Sequence, residues 1–229
     1  MSHVDSQSVG GRTFIEEARR AQLVTCAIDT IAELGYGQAS LARIAERAGI
    51  SKGVIGYHFA GKDELLSEVV AEVIARGGEY MRPYVSGATG GRARLRAYIE
   101  SNLAFMGEYR NHVLALVEIA RNARPEEGGA GFGPRFAEGA VSMLAQLLAN
   151  AQQTGELRSD FDPVVLATAI RAAIDAVPRR LANDPELDIG HYGRELAGLF
   201  DLATRKEAHV RDHDPEARPG QRSGRAGAA

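Results

Sequence analysis

The chain has 229 residues, 45% of them hydrophobic, which is enough to bury a substantial core and excludes a disordered or fibrous protein. Its formal net charge of -3 excludes no class of partner, because a basic face can sit within an acidic total. The single cysteine, Cys26, excludes an intramolecular disulfide and a cysteine-built metal centre, and its place in an apolar helical pattern predicts a small core residue.

No apolar run reaches the roughly 18 residues that a membrane span needs. The opening MSHVDSQSVGGR lacks the apolar core of a signal peptide. The expectation is a soluble, cytoplasmic protein with no membrane partner.

Residues 1–12 are polar and glycine-bearing and read as a flexible arm. From Phe14 to Leu34, apolar residues recur at helical spacing, with Gly35 as the stop. Ser40 caps a second, short helix whose apolar side is Leu41, Ile44, Ala45 and Ala48, and Gly49 ends it. Ser51 caps a third helix that runs to about His58. A fourth opens at Lys62-Asp63-Glu64, where acidic residues suit a first turn. Further helices are predicted near 92–109, 112–123, 134–153, 163–182 and 189–206, with Asp162-Pro163 as a clear helix start. The breaks between them, such as SGATGG and RPEEGGAGFG, are turn and loop chemistry. No alternating β-branched run appears, so the fold class is all-α. From residue 207 the tail is charged, Pro- and Gly-bearing, and is expected to be disordered.

Two short helices joined by Ala48-Gly49-Ile50-Ser51 form a helix-turn-helix pattern. The second of them has the size to enter a DNA major groove. Between Ser40 and Lys62, the basic residues Arg43, Arg47, Lys52 and Lys62 face a single acid, Glu46. That surplus sits where phosphate contacts are needed.

From Phe14 to Leu66 the sequence resembles the DNA-binding domain of the TetR family of bacterial transcriptional repressors. The resemblance rests on Ala27, Leu34-Gly35-Tyr36, Ser40-Leu41, Ile44-Ala45 and Ala48-Gly49-Ile50-Ser51-Lys52-Gly53. It continues through Tyr57-His58-Phe59 to Lys62-Asp63-Glu64-Leu65. It implies a helix-turn-helix DNA-binding domain at 13–61 and a ligand-binding and dimerisation bundle at 62–206. The implied partners are a palindromic double-stranded operator, a small-molecule effector and a second copy docked through the last two long helices.

Carried over by position, the resemblance places Ser40, Arg43, Ser51, Lys52, Gly53, Val54, Tyr57, His58 and Lys62 at the DNA. Lys52, Gly53 and Val54 would meet base edges, with Val54 suited to a thymine methyl. Ser40, Tyr57, His58 and Lys62 would meet the backbone, and Arg43 a phosphate or a base. Val54, Ile55 and Phe59 are also core candidates. In the second half, Phe105, Tyr109, Glu118 and Met143 fall on helices that line the family's effector cavity. Arg171 and Asp175, four apart, read as a surface ion pair or as a pocket or interface pair. Small residues Ala167, Ala172, Ala173, Ala197 and Gly198 would permit close helix approach across the dimer.

Gly56 departs from the family, which usually carries a tyrosine there. Either the missing side chain lets the backbone approach DNA, or the recognition helix is loose until DNA orders it. A bundle that binds a small molecule but has lost specific DNA binding is the competing functional reading. His209 and His213 lack a third scaffolded ligand, and no catalytic constellation can be assembled. The expectation is therefore no metal, no cofactor and no enzymatic activity.

Overall fold

The computed structural model describes residues 6–122 and 134–206, with only the backbone described for 6–13 and 134–137. All of its regular elements are helices: α1 (Ser6–Leu34), α2 (Leu41–Arg47), α3 (Lys52–His58), α4 (Lys62–Gly87) and α5 (Gly91–Glu108). They continue with α6 (Arg110–Asn122), α7 (Pro134–Gln153), α8 (Pro163–Asp175), α9 (Val177–Asn183) and α10 (Ile189–Thr204). The tail from residue 207 with its histidines, and the whole RPEEGGAGFG segment, lie outside the described residues.

Local chemistry explains the short helices. The Ser40 hydroxyl accepts from the Arg43 N–H at 3.3 Å and starts α2. Gly49, at φ +68°, makes the left-handed turn that lets α3 leave at an angle. Asp162 accepts from the Val164 and Val165 N–H groups at 2.7 and 3.2 Å and starts α8. Ser51 holds the N-cap position of α3, but its hydroxyl makes no capping bond.

Two boundaries differ from the sequence expectation. α1 begins at Ser6, so the expected arm over 1–12 is helical from that residue. Extending a helix adds a hydrogen bond for each residue fixed, whereas starting one is unfavourable. The helix expected over 163–182 breaks at Ala176 into α8 and α9. Pro178 has no N–H to donate back into α8, and its ring crowds the preceding turn.

The core is continuous through the chain. Leu23, Ile28 and Ile31 of α1 are fully buried together with Ile44, Ile55, Phe59 and Leu65, so α1 closes over the helix-turn-helix. α4 joins the two halves, packing on both α1 and α5. Beyond it, α5 lies between α4, α7 and α10. Close approach at one end of α5 requires Gly91, where even a methyl group would stand 2.2 Å from the Ala151 Cβ of α7. Cys26 is half-buried, and burial pushes its thiol above the ordinary range, as suits a packing residue.

Candidate nucleic-acid interface and ligand cavity

Ile55 and Phe59 lie one turn apart at α3, and both are buried against the core. Their burial turns Lys52, Gly53, Val54 and Tyr57 outward. Val54 is 40% exposed and Tyr57 75%, unusual for two large side chains so close together on a folded domain. Ser40, Arg43 and Ser51 are exposed as well, and His58 is half-buried, its ring edge-on to Tyr57.

Arg20 of α1 holds this unit together. Its guanidinium donates to the His58 carbonyl, to Glu64 Oε1 at 3.2 Å and to Glu68 Oε1 at 3.0 Å, and lies 4.3 Å over the Phe59 ring. Glu64 also accepts from the Ala60 N–H at 2.7 Å, which starts α4. That N–H first, and Arg20 second, hold the Glu64 carboxyl below its usual range. Tyr57 donates its hydroxyl to Glu16 at 3.2 Å, so the ring leans towards α1.

Two of the basic residues counted from the sequence are already engaged. Arg47 donates to Glu33 at 2.5 Å, which removes it from the free positive surplus. Glu33 lies outside the 40–62 segment, at the end of α1, and only the fold brings it there. Lys62 is half-buried, donates to the Tyr36 carbonyl at 2.9 Å and lies 4.0 Å from the centre of the Tyr36 ring. Burial lowers its ammonium below the ordinary lysine range. Two of its three N–H donors stay available beside the N-terminus of α4.

Gly56 sits in a regular helix, and a methyl group on its Cα would point into open space. Nothing inside the protein requires a glycine there. Gly56→Ala is therefore expected to stabilise the chain by up to about 1 kcal/mol in chemical denaturation. A loss of operator affinity in that same variant would assign the glycine to backbone approach at DNA, since the folded state has no use for it.

The second half holds a cavity of about 800 Å³ between α4, α5, α6, α7, α8 and α9. A second hollow of about 650 Å³ adjoins it and shares Gly78, Met81, Tyr98 and Met143. Phe105, Met143, Arg171 and Asp175 line the main cavity. Two of the residues expected there do not. Tyr109 stacks on Phe105 with ring centres 5.0 Å apart, within a cluster that includes Tyr80 and His112. Glu118 turns the other way: its Oε2 accepts from the Tyr36 N–H at 3.1 Å, and its Oε1 pairs with Arg121 at 3.5 Å.

Arg171 is no surface residue. It is 8% exposed, donates Nη1 to the Tyr98 hydroxyl at 3.0 Å and Nη2 to Asp175, and has no partner for Nε. Burial outweighs Arg171 at Asp175 and holds its carboxyl above the usual carboxylate range. Sequence reasoning missed Arg20 and Tyr98 as functional residues and gave Tyr36 no role, because their partners lie tens of residues away and leave no local signal.

The model of the bacterial regulatory proteins of the tetR family matches residues 23–69. The model of the BetI-type transcriptional repressor C-terminal domain matches residues 91–192, so the two together take in most of the chain. The chain belongs to the TetR family. Within that family it is 36% identical over 89 residues to the HTH-type transcriptional regulator BetI 1 of Chromohalobacter salexigens, a match over 38% of this chain. The matched segment spans 44% of that relative's own length.

Among solved structures, a putative TetR-family transcriptional regulator from Rhodococcus sp. superposes with a TM-score of 0.68 at 25% identity. That match covers 81% of this chain and 98% of the other. AibR, solved in complex with isovaleryl coenzyme A and operator DNA, superposes with a TM-score of 0.65 at 20% identity, over 79% of this chain and 97% of its own. This chain shares the architecture of TetR-family regulators, a helix-turn-helix unit followed by a helical second half.

Proposed function

We propose that this TetR-family chain is a homodimeric, sequence-specific DNA-binding repressor, released from its operator by a small molecule held in the cavity. The observation that carries the reading is the outward face of α3, where Lys52, Val54 and Tyr57 are exposed on a helix anchored by Ile55 and Phe59. Lys52, Gly53 and Val54 read base edges. Ser40, Arg43, Ser51, Tyr57, His58 and Lys62 hold the backbone. The relatives are transcriptional regulators, which agrees with a binding protein that has no enzymatic activity of its own. Its site of action is the cytoplasm, where the operator is.

The DNA-binding unit is residues 13–61 and the effector and dimerisation unit 62–206, with α4 packed against both. Coupling between the two needs a contact that reports cavity occupancy to the DNA-binding unit. α6 supplies one: Leu116, Val117 and Arg121 line the cavity, and Glu118 on the same helix holds the Tyr36 N–H. Tyr36 in turn receives Lys62 at the start of α4. A ligand that shifts α6 thereby shifts the turn before α2.

The second copy docks on α8 and α10. Val164, Val165, Leu199 and Leu202 are large, apolar and exposed there, as an isologous interface requires. Ala167 and Ala197, expected at that interface, are instead buried within the protomer, whereas Ala172 is an exposed small residue.

The competing reading, a bundle that has lost DNA binding, rests on Gly56 alone, and α3 is a regular helix with that glycine in place. A gel-shift series against the DNA upstream of the chain's own gene, together with a random-site selection, tests the proposal. Absence of salt-sensitive, sequence-specific binding in both overturns it.

Lys62→Ala is expected to weaken binding to all operator variants by similar factors and to lower the salt slope by about 1. Fluorescence anisotropy across a salt series measures both. Because Lys62 also holds Tyr36, a small loss of thermal stability accompanies the change.

A further inference from the structure

The main cavity carries a chemical preference that its size alone does not state. Arg171 enters its wall from α8, almost wholly buried, where a leucine or methionine would fill the space without a charge to desolvate. Two guanidinium nitrogens have partners, Tyr98 and Asp175, and Nε has none. Buried N–H groups are nearly always satisfied, so a buried guanidinium left one bond short in a cavity wall carries a charge that the chain's own groups do not fully satisfy.

The charge balance points the same way. Arg121, Arg171 and Arg179 line the cavity, and Asp175 is the only carboxylate among its described lining residues, although Arg121 is also paired with Glu118 outside the lining. Asp175 is itself 45% exposed at its side chain and shares its charge with solvent. The rest of the lining includes the apolar Phe105, Met106, Val113 and Leu116.

We propose that the cavity takes a compact organic carboxylate, its carboxylate on the Arg171 guanidinium and its apolar body against Phe105, Met106, Val113 and Leu116. The inference rests on the effector reading of the cavity given above and names the class of that effector. A cation would face three guanidinium groups. A neutral ligand without an acceptor would leave the guanidinium charge under-satisfied. A free carboxylate offers two acceptor oxygens in the planar geometry that a guanidinium matches. Tyr98 fixes the guanidinium in place, so the ligand finds its partner already oriented. Asp175 competes for the same guanidinium, which makes it a negative determinant of affinity.

Calorimetric titration of the full chain with octanoate, decanoate and 4-phenylbutyrate tests this, alongside their primary amides, their trimethylammonium analogues and octanoyl-coenzyme A. The expected result is a carboxylate bound about 10-fold or more tightly than its amide. In R171Q that preference should collapse to within about 2-fold. D175N keeps the buried arginine and removes its competitor, so it should tighten carboxylate binding even if R171Q fails to fold. Equal binding of acid and amide, tighter binding of the cation, binding of the thioester without the free acid, or weaker carboxylate binding by D175N would each overturn the carboxylate assignment.

Displacement of Nile red, a neutral dye, and operator release are read in parallel. If an amide or cation displaces the dye and releases DNA, the effector reading stands and the carboxylate class falls. If no compound displaces the dye or alters operator binding, both fall.

Discussion

Replacing Val54 with glutamate is expected to abolish operator binding while leaving the fold intact. Val54 is exposed on α3, about 100° round the helix from the buried Ile55, and it is not part of the hydrophobic core. Substitutions at such surface positions change stability by no more than about 0.5 kcal/mol. At the DNA the same change puts a carboxylate among phosphates and base-edge acceptors, and removes an apolar surface suited to a thymine methyl. The combined loss should be about 100-fold or more, equivalent to roughly 2.8 kcal/mol. Fluorescence anisotropy at fixed salt measures the affinity, and a urea melt checks the fold. Binding retained at the wild-type level would show that the outward face of α3 is not the reading face.

Phe59→Ala should give the opposite pattern. The ring is 2% exposed, packs in the core that closes α1 over α3, and carries Arg20 on its face. Truncating a buried phenylalanine costs about 3–5 kcal/mol, because the apolar contacts are lost and the cavity closes only in part. Here the loss also loosens Arg20, which ties α1 to α3 and α4. Operator binding should fall because the unit that presents α3 opens, not because a DNA contact is missing. Urea denaturation should show the loss directly, and hydrogen exchange should place the fastest opening in α2 and α3. A variant with unchanged stability would contradict the core assignment. Val54 and Phe59 sit five residues apart, one within α3 and one at its end, so the two results together separate the surface from the core.

The legible parts of this molecule were those whose causes are local. Ser40 and Asp162 carry side-chain oxygens that reach the next turn's N–H groups, and each starts a helix where the sequence places it. Gly49 supplies the left-handed turn between α2 and α3. The apolar spacing that marks Ile44, Ala45 and Ile55 as core is also what turns Lys52 and Val54 outward. Length was harder to read, because helix ends depend on small differences in free energy: α1 starts at Ser6, and α8 stops at Asp175.

The cavity was less legible than the DNA-binding face. Phe105 and Met143 reach it, but Tyr109, just past the end of α5, and Glu118, within α6, face other neighbours. Which side of α6 meets the cavity follows from how it crosses α1 and α4, and no residue within α6 encodes that crossing alone.

By itself, the sequence determined an all-helical chain, the helix-turn-helix, the Ser40 and Asp162 caps and the burial of Ile55 and Phe59, whereas the Ser51 hydroxyl makes no cap and Val54 is exposed. Those features follow from 3.6-residue periodicity and from hydrogen bonds that span a single turn. Tertiary structure alone decided that Arg47 is neutralised by Glu33, that Lys62 is held by Tyr36, that Glu118 links α6 to the turn before α2, and that Arg171 is buried with an unpaired nitrogen. The reason is physical: a charge's availability depends on what lies within a few ångströms of it, and that is set by helix crossings between residues far apart in the chain.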